Sequence, residues 1–313
     1  MKPLVSILIP VYNRETIIAE TLESAVLQTY DNIEVIVVDN ASSDGTWKVI
    51  QYFVEKDKRI KAFRNETNLG PVRNWLRCVE EAKGDFGKIL WSDDLIEADF
   101  LQKTLPLFNH DVGFVYTGTQ IFIGNNPNSG VSCYFLASTG VYNSSEYLHK
   151  ALYDKDVPVS PGCAIFRMQD IRKNLLLDIP NKINSDFSMH AIGNDLLLFL
   201  LTANNYSFFG HVAEPLSYFR AHSGSISVSS SNGKLPLHYA LAKSYFVENY
   251  LPYEVNNLAA RIQIMLWKYR DSKNYNMKKV SDFFNFKVVI SKRMIFKFFL
   301  VKVVKIVKSY IAK

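Results

Sequence analysis

Apolar positions along the first 120 residues switch between two periods. Leu4–Ile9 is a short apolar run of strand type, and Arg14–Gln28 then sets Ile17, Ile18, Leu22, Ala25 and Val26 at helical spacing. Ile33–Val38 is apolar at nearly every position, as a strand buried on both faces requires. The pattern next predicts a helix from Asp44-Gly45-Thr46 to about Glu55, with Asp44 as its N-cap. A strand at Arg59–Arg64, a helix at Pro71–Ala82 and a strand at Gly87–Trp91 follow, then a helix from Glu97 to about Phe108 and a strand at Val112–Tyr116. Such alternation predicts an α/β fold, a mostly parallel sheet with helices on both faces. Ligands of these sheets bind at the carboxyl ends of the strands, so the residues just after each strand are the ones to inspect.

The second half is less regular. Asn125–Ser132 reads as a loop, Asn143–Leu152 as a helix, Gly162–Phe166 as a short strand and Asp186–Ala203 as one strongly apolar helix. Ser207–Val212 and Pro215–Phe219 read as two strands, and Ser223–Lys234 as a Ser- and Gly-rich linker or ligand-ordered loop. From Leu237 the pattern is helical to the end.

Charge sharpens this picture once it is located. The 313 residues carry 36 basic and 30 acidic side chains, net +6, with 48% hydrophobic residues, which suits a packed chain. Eight of the basic residues and no acid fall between Lys287 and Lys313, so the other 286 residues carry 28 basic and 30 acidic groups. A slightly acidic body argues against a nucleic-acid binder. Cys78, Cys133 and Cys163 lie far apart in no CxxC pair, which predicts a reducing compartment and neither a disulfide framework nor a zinc site. The apolar run at the start ends at Pro10 and reads as a first strand rather than a signal peptide, and no charge-free run reaches the ~18 apolar residues of a membrane span.

The strand ends carry a consistent polar set: Pro10-Val11-Tyr12-Asn13-Arg14, then Asp39–Gly45, then Asn65–Gly70 with Arg73-Asn74, then Ser92-Asp93-Asp94. A lone acid after a strand is ordinarily a helix cap. Two adjacent acids with no nearby lysine in sequence call instead for a hard divalent cation that itself holds a diphosphate, although Asp94 as a cap beside a solvated Asp93 remains open.

Five blocks of sequence, VSILIPVYN (Val5–Asn13), QTY (Gln28–Tyr30), IEVIVVDNASSDGT (Ile33–Thr46), NLGPVRN (Asn68–Asn74) and WSDDL (Trp91–Leu95), resemble the family 2 glycosyltransferases of the GT-A fold. Weaker similarity continues through Ser160–Arg167, Asn194-Asp195 and Tyr218–Ser227. The resemblance implies a GT-A catalytic domain over residues 1–227, with a nucleotide-sugar half to about 120 and an acceptor half beyond it. A helical extension over 228–282 and a tail over 283–313 would follow. By the same resemblance Asp39 holds the nucleobase and sugar of the donor nucleotide, Pro10, Val11 and Tyr12 line its pocket, and Arg73 supports it. Arg14, Asn68, Gly70 and Arg220 belong to the same donor-binding set. The family's Asp-any-Asp motif stands here as Ser92-Asp93-Asp94, its first acid replaced by serine. Asp94 is then the metal ligand for Mn2+ or Mg2+, Asp93 lies nearer the donor sugar, and His222 approaches metal and diphosphate. Asp195 matches the catalytic base, without the glutamate that usually precedes it, and is also a natural helix cap; Asp186 is the reserve candidate. The activity implied is inverting transfer from a nucleotide diphosphate donor, UDP-linked by expectation, to a saccharide hydroxyl in O-antigen or capsule synthesis.

In the tail, Lys297, Lys302, Lys305, Lys308 and Lys313 gather on one side of a helical wheel, and Phe296, Phe299, Leu300, Val303, Val304, Ile306, Val307 and Ile311 fill the other. This is the pattern of a helix lying in a membrane interface, or of one packed on the body with its lysines solvated. Peripheral attachment to the cytoplasmic face of the membrane would suit an acceptor carried on a polyprenyl diphosphate. A dehydrogenase is excluded by the missing Gly-rich turn after the first strand. A nucleotidyltransferase also needs a Gly-rich, basic start, while a non-catalytic nucleotide-sugar binder fits the missing acids.

Overall fold

A computed structural model describes residues 2–124, 126–153, 156–222, 224–225, 233–288, 290 and 296. Much of the Ser-rich segment, and all but two residues of the tail beyond Val288, lie outside the described residues. The chain forms two compact units, residues 1–178 with 187–228, and residues 179–186 with 229–313.

The first unit is built on one mixed sheet. Its opening elements alternate as β1 (Val5–Val11), α1 (Ile18–Val26), β2 (Ile33–Asp39), α2 (Thr46–Lys56), β3 (Ile60–Arg64), α3 (Pro71–Glu81) and β4 (Phe86–Ile89). Every residue of β1 and β2 is buried, which is why their sequences do not alternate. After β5 (Leu95–Ile96) and α4 (Phe100–Thr104) come β6 (Val112–Phe122), β7 (Val131–Cys133), β8 (Gly140–Asn143) and α5 (Ser144–Leu152). Then follow β9 (Ala164–Arg167), α6 (Met168–Asn174), α7 (Phe187–His190), α8 (Asn194–Asn205) and β10 (Phe208–Arg220).

The strands run in the order β3-β2-β1-β4-β9-β6-β10-β5, with β7 beside β6 and β8 beside β10. β1 pairs in parallel with β2 and β4, β2 with β3, and β6 with β10, whereas β9 runs antiparallel between β4 and β6. Register brings Val11 level with Asp39 and Asp39 level with Arg64, so three strands deliver their last residues to one edge.

Five sequence expectations change. The two strands at Ser207–Val212 and Pro215–Phe219 are one strand, β10, whose register shifts around Pro215 absorb a residue that cannot donate to the ladder. The helix expected over Asp186–Ala203 is broken into α7 and α8, because Ala191 and Gly193 take positive φ of 57° and 121°. The helix expected over Glu97–Phe108 is only α4 and a 3-10 turn at Leu105–Leu107, and α1 begins at Ile18 rather than Arg14. Gly45, not Asp44, holds the N-cap position of α2, though Asp44 Oδ1 accepts the N–H of Thr46 at 3.0 Å.

In the second unit, α9 (Lys234–Tyr250) and α10 (Val255–Lys268) are followed by 3-10 turns at Arg270–Tyr275 and Val280–Asp282. Lys182, from the 179–186 segment, donates to the carbonyls of Ser281 and Phe284 at 3.4 and 3.3 Å. Among the described residues no helix is long and apolar enough to cross a membrane.

Candidate active site

The sheet edge at the ends of β1, β2 and β3 is closed by side chains bonding to backbone. Pro10 and Val11 sit in register with Val38 and Asp39, and the Val11 carbonyl accepts the N–H of Asn40 at 2.9 Å. Asp39 is fully buried. Its Oδ1 accepts from the N–H of Ser42 at 3.1 Å and from the Ser42 hydroxyl. Its Oδ2 lies 3.0 Å from Nε of Arg64 but, with that contact out of line, has no hydrogen-bond partner among the described residues. Asn13 and Ala41 adopt left-handed φ of 51° and 61°, so the loops after β1 and β2 turn sharply here. They are tied together by Asn13 N–H to Ser42 Oγ and Ser43 N–H to Asn13 Oδ1, both 2.9 Å. Tyr12, just after β1, has 41% of its surface exposed.

Four asparagines form the floor behind Asp39. Asn40 donates to Asn68 Oδ1 at 2.8 Å and to the Gly70 carbonyl at 3.2 Å, and its own oxygen accepts from Leu69 N–H and Asn65 Nδ2. Asn65 also reaches Asn74 Oδ1, and Asn74 donates to the Val38 carbonyl, both at 3.0 Å. Gly70 enters α3 at φ 83°, and a Cβ there would stand 2.7 Å from Sδ of Met189. On the first turn of α3, Arg73 donates to the hydroxyl of Ser188 at 2.8 Å, which orients the guanidinium from α7.

The two acids after β4 have opposite surroundings. Asp94 is buried; its Oδ1 accepts the backbone N–H of Arg220 at 3.0 Å, and Thr21 Oγ1 donates to its carbonyl. Burial first, then the neighbouring Asp93, pushes its carboxyl well above the usual carboxylate range. Asp93 Oδ2 lies 2.8 Å from Nε2 of His222 and 3.7 Å from a guanidinium nitrogen of Arg14. Nδ1 of His222 accepts the N–H of Gly224 at 3.1 Å, so in the neutral ring Nε2 carries the proton and donates to Asp93. Both ring nitrogens are therefore engaged, and His222 becomes a metal ligand only by exchanging that proton for an ion.

Arg220 holds the acid loop from the end of β10. Beyond its N–H to Asp94, Nε donates to the Asp93 carbonyl at 3.2 Å and a terminal nitrogen to the Gly124 carbonyl at 2.9 Å. The other terminal nitrogen pairs with Glu20 Oε2 at 2.5 Å. Glu20, on the exposed face of α1, gave no sequence signal, because an acid in a first helical turn is ordinary and its partner lies 200 residues away.

Asp195 lies in the first turn of α8, where Oδ1 accepts the N–H groups of Gly193 and Leu196 at 3.0 and 2.8 Å. The reserve candidate Asp186 falls in the segment that groups with the second unit. The structure thus brings Val11, Asp39, Asn68, Gly70, Arg14, Asp93, Asp94, Arg220 and His222 into linked contacts, while Asp195 caps α8 and Arg73 reaches Ser188. Among the described residues no group of three His, Cys, Asp or Glu side chains is arranged to hold a metal.

Residues 6–175, more than half the chain, match glycosyl transferase family 2. The chain belongs to that family. Its GT-A-like sheet, expected from the motifs, is the one found, and the family match spans β1 through α6 with the ends of β1 to β4 described above, but not β10 and Arg220. Among relatives, EpsH of Bacillus subtilis, named as a glycosyltransferase, is 41% identical over 159 residues, covering 50% of this chain and 44% of its own length. TuaG of the same organism, named for teichuronic acid biosynthesis, is 35% identical over 121 residues, covering 38% and 48%. The chain thus spans less than half the length of these curated relatives. Among solved structures, S. aureus TarS 1–349 in complex with UDP-GlcNAc superposes with a TM-score of 0.61 at 17% identity, covering 88% of this chain and 76% of that one. The mannosyltransferase PcManGT of Pyrobaculum calidifontis, in complex with GDP-Man and Mn2+, gives 0.51 at 17% identity, covering 88% and 74%. At such identities these two share the fold.

Proposed function

We propose that this chain transfers a sugar from a nucleotide diphosphate donor to a hydroxyl of a saccharide acceptor. The observation that carries the reading is Asp39, buried at the end of β2 with one carboxylate oxygen left without a hydrogen-bond partner among the described residues. With the Arg64 guanidinium 3.0 Å away but out of line, this oxygen can still accept from a ligand, and a nucleobase N–H beside the Val11–Tyr12 backbone supplies such a donor. Tyr12 covers the base, and Arg73 and Arg14 provide cations on the phosphate side.

A divalent cation fits the acid loop. Burial first, and then Asp93, raise the Asp94 carboxyl above the usual carboxylate range, a penalty that a cation would relieve, and the donor set of carboxylates with one imidazole suits Mn2+ or Mg2+. Asp94, with Asp93 and His222, would hold it; when bound it supplies positive charge to the leaving diphosphate. Arg220 fixes the height of both acids against β10, and His222 orients Asp93 toward the donor sugar. Asp195, at the start of α8, accepts the proton of the acceptor hydroxyl, and attack from that face inverts the anomeric centre.

A uridine donor is supported by the UDP-GlcNAc held by TarS on the same fold, and surface-polysaccharide synthesis by the name of TuaG. A lipid-linked acceptor follows from the basic, Phe-rich tail; flotation of the full chain with anionic liposomes, lost on truncation after Asp282, reads that attachment. The body's slight acidity leaves no role for nucleic acid. Thermal shift with a panel of nucleoside diphosphates, with and without Mn2+, tests the whole: stabilisation by one diphosphate that grows with the metal is expected, and no shift with any of them rejects the reading.

A further inference from the structure

Strand β4 carries one charged residue that the donor site leaves unused. Lys88 is wholly buried in the sheet, where its charge has no water to solvate it. Among the described residues it has no ion-pair partner; its ammonium donates instead to the carbonyl of Gly162 and, at 3.2 Å, to that of Ile89, and stands 4.7 Å from the ring centroid of Phe100. Gly162 is the middle of the 3-10 turn Pro161–Cys163.

That turn touches both approaches to the acid pair. A Cβ on Gly162 would lie 2.9 Å from Cε1 of Phe219 and 3.0 Å from Cδ1 of Trp91, so the bare backbone packs against both rings. Trp91 also donates from Nε1 to the Ser160 hydroxyl at 2.8 Å, and its ring lies 4.7 Å from that of Trp75. Trp91 directly precedes Ser92-Asp93-Asp94, and Phe219 directly precedes Arg220, whose N–H holds Asp94.

We propose that Lys88 is a positioning residue: by holding the Gly162 carbonyl it seats the Ser160–Cys163 turn against Trp91 and Phe219, and so sets the spacing between the acid loop and Arg220. A neutral side chain would satisfy the sheet better, since an uncompensated buried charge is costly and packing alone would select an apolar residue. Burial pushes the Lys88 ammonium down to about 7, and Cys163 and Asp94 are the titratable groups nearest it. Cys163 is itself pushed up to about 12 by burial and stays a neutral thiol. The ammonium therefore grips the turn below that pH and loosens above it.

The kinetic half of this inference rests on the glycosyltransferase reading; the spectroscopic half does not. In the full chain, without substrate, tryptophan emission followed across neutral pH should show a transition near 7 that is absent from Lys88→Met. In turnover, Lys88→Met should lower kcat about tenfold and remove the decline on the alkaline side, while nucleotide affinity changes about twofold or less. Gly162→Ala keeps the lysine but crowds Trp91 and Phe219, and should lower kcat similarly. The same emission transition in wild type and Lys88→Met, or a folded Lys88→Met with the wild-type pH–rate curve, overturns the proposal. If Lys88→Met does not fold, an unchanged kcat in Gly162→Ala overturns it. Absence of turnover by the wild type with every nucleotide sugar counts against the glycosyltransferase reading, and the emission transition then decides the role of Lys88 alone.

Discussion

Nε2 of His222 lies 2.8 Å from Oδ2 of Asp93, joining two loops 129 residues apart in the chain. The bond aims the carboxylate, because Arg14 holds the same oxygen at 3.7 Å from the other side. His222→Ala frees Asp93 to rotate and removes one charged-group hydrogen bond, worth about 2 kcal/mol. The expected outcome is a fall in kcat of about 30-fold in a transfer assay, with the affinity for the bare nucleoside diphosphate little changed.

Asp94 sets function against stability. Its carboxyl is held well above its ordinary value, chiefly by burial and then by Asp93, so burial opposes its charged form. An acid raised in this way contributes its full stability below the unfolded value of about 3.9, and loses it as pH rises through the folded value. Asp94→Asn keeps an oxygen for the N–H of Arg220 and carries no charge, so its melting temperature should exceed that of the wild type at neutral pH, with the gap closing near pH 4. Transfer should fall by about a hundredfold or more, and Mn2+ with nucleotide should no longer raise the melting temperature beyond nucleotide alone. Calorimetric melting at both pH values, with and without the ion, checks each part.

The parts of this site that were legible in the sequence are those written in contiguous runs. Ser92-Asp93-Asp94 follows an apolar strand, and the register that levels Val11, Asp39 and Arg64 follows from three short strands of parallel type. Contacts between distant segments were not legible. Glu20 reads as a solvated helix acid until Arg220 is found beside it, and Lys88 reads as the polar face of a short strand until β9 and its turn cover it. The break between α7 and α8 was hidden because the apolar spacing runs through it, although Gly193 marked the place where φ turns positive. In β10, Pro215 looked like the start of a second strand, but the pairing with β6 runs through it with shifted register.

Asp195 is expected to separate chemistry from binding. Two backbone N–H groups hold its Oδ1, and an asparagine keeps that capping role. Asp195→Asn should therefore fold and melt like the wild type and bind the donor nucleotide with unchanged affinity, while transfer falls by about 10²–10⁴. Single-turnover kinetics with labelled donor measures the loss; wild-type turnover would remove Asp195 as the base.

The central claim is that the edge formed by β1, β2 and β3 holds a nucleotide through Asp39. Titration calorimetry of the full chain with UDP and the other nucleoside diphosphates tests it most directly, comparing wild type with Asp39→Asn. One nucleoside diphosphate should bind the wild type, and Asp39→Asn should weaken it by about 10-fold or more, the cost of losing a charged hydrogen bond to the base. Equal affinity in the two proteins, or no binding by the wild type, would contradict the account.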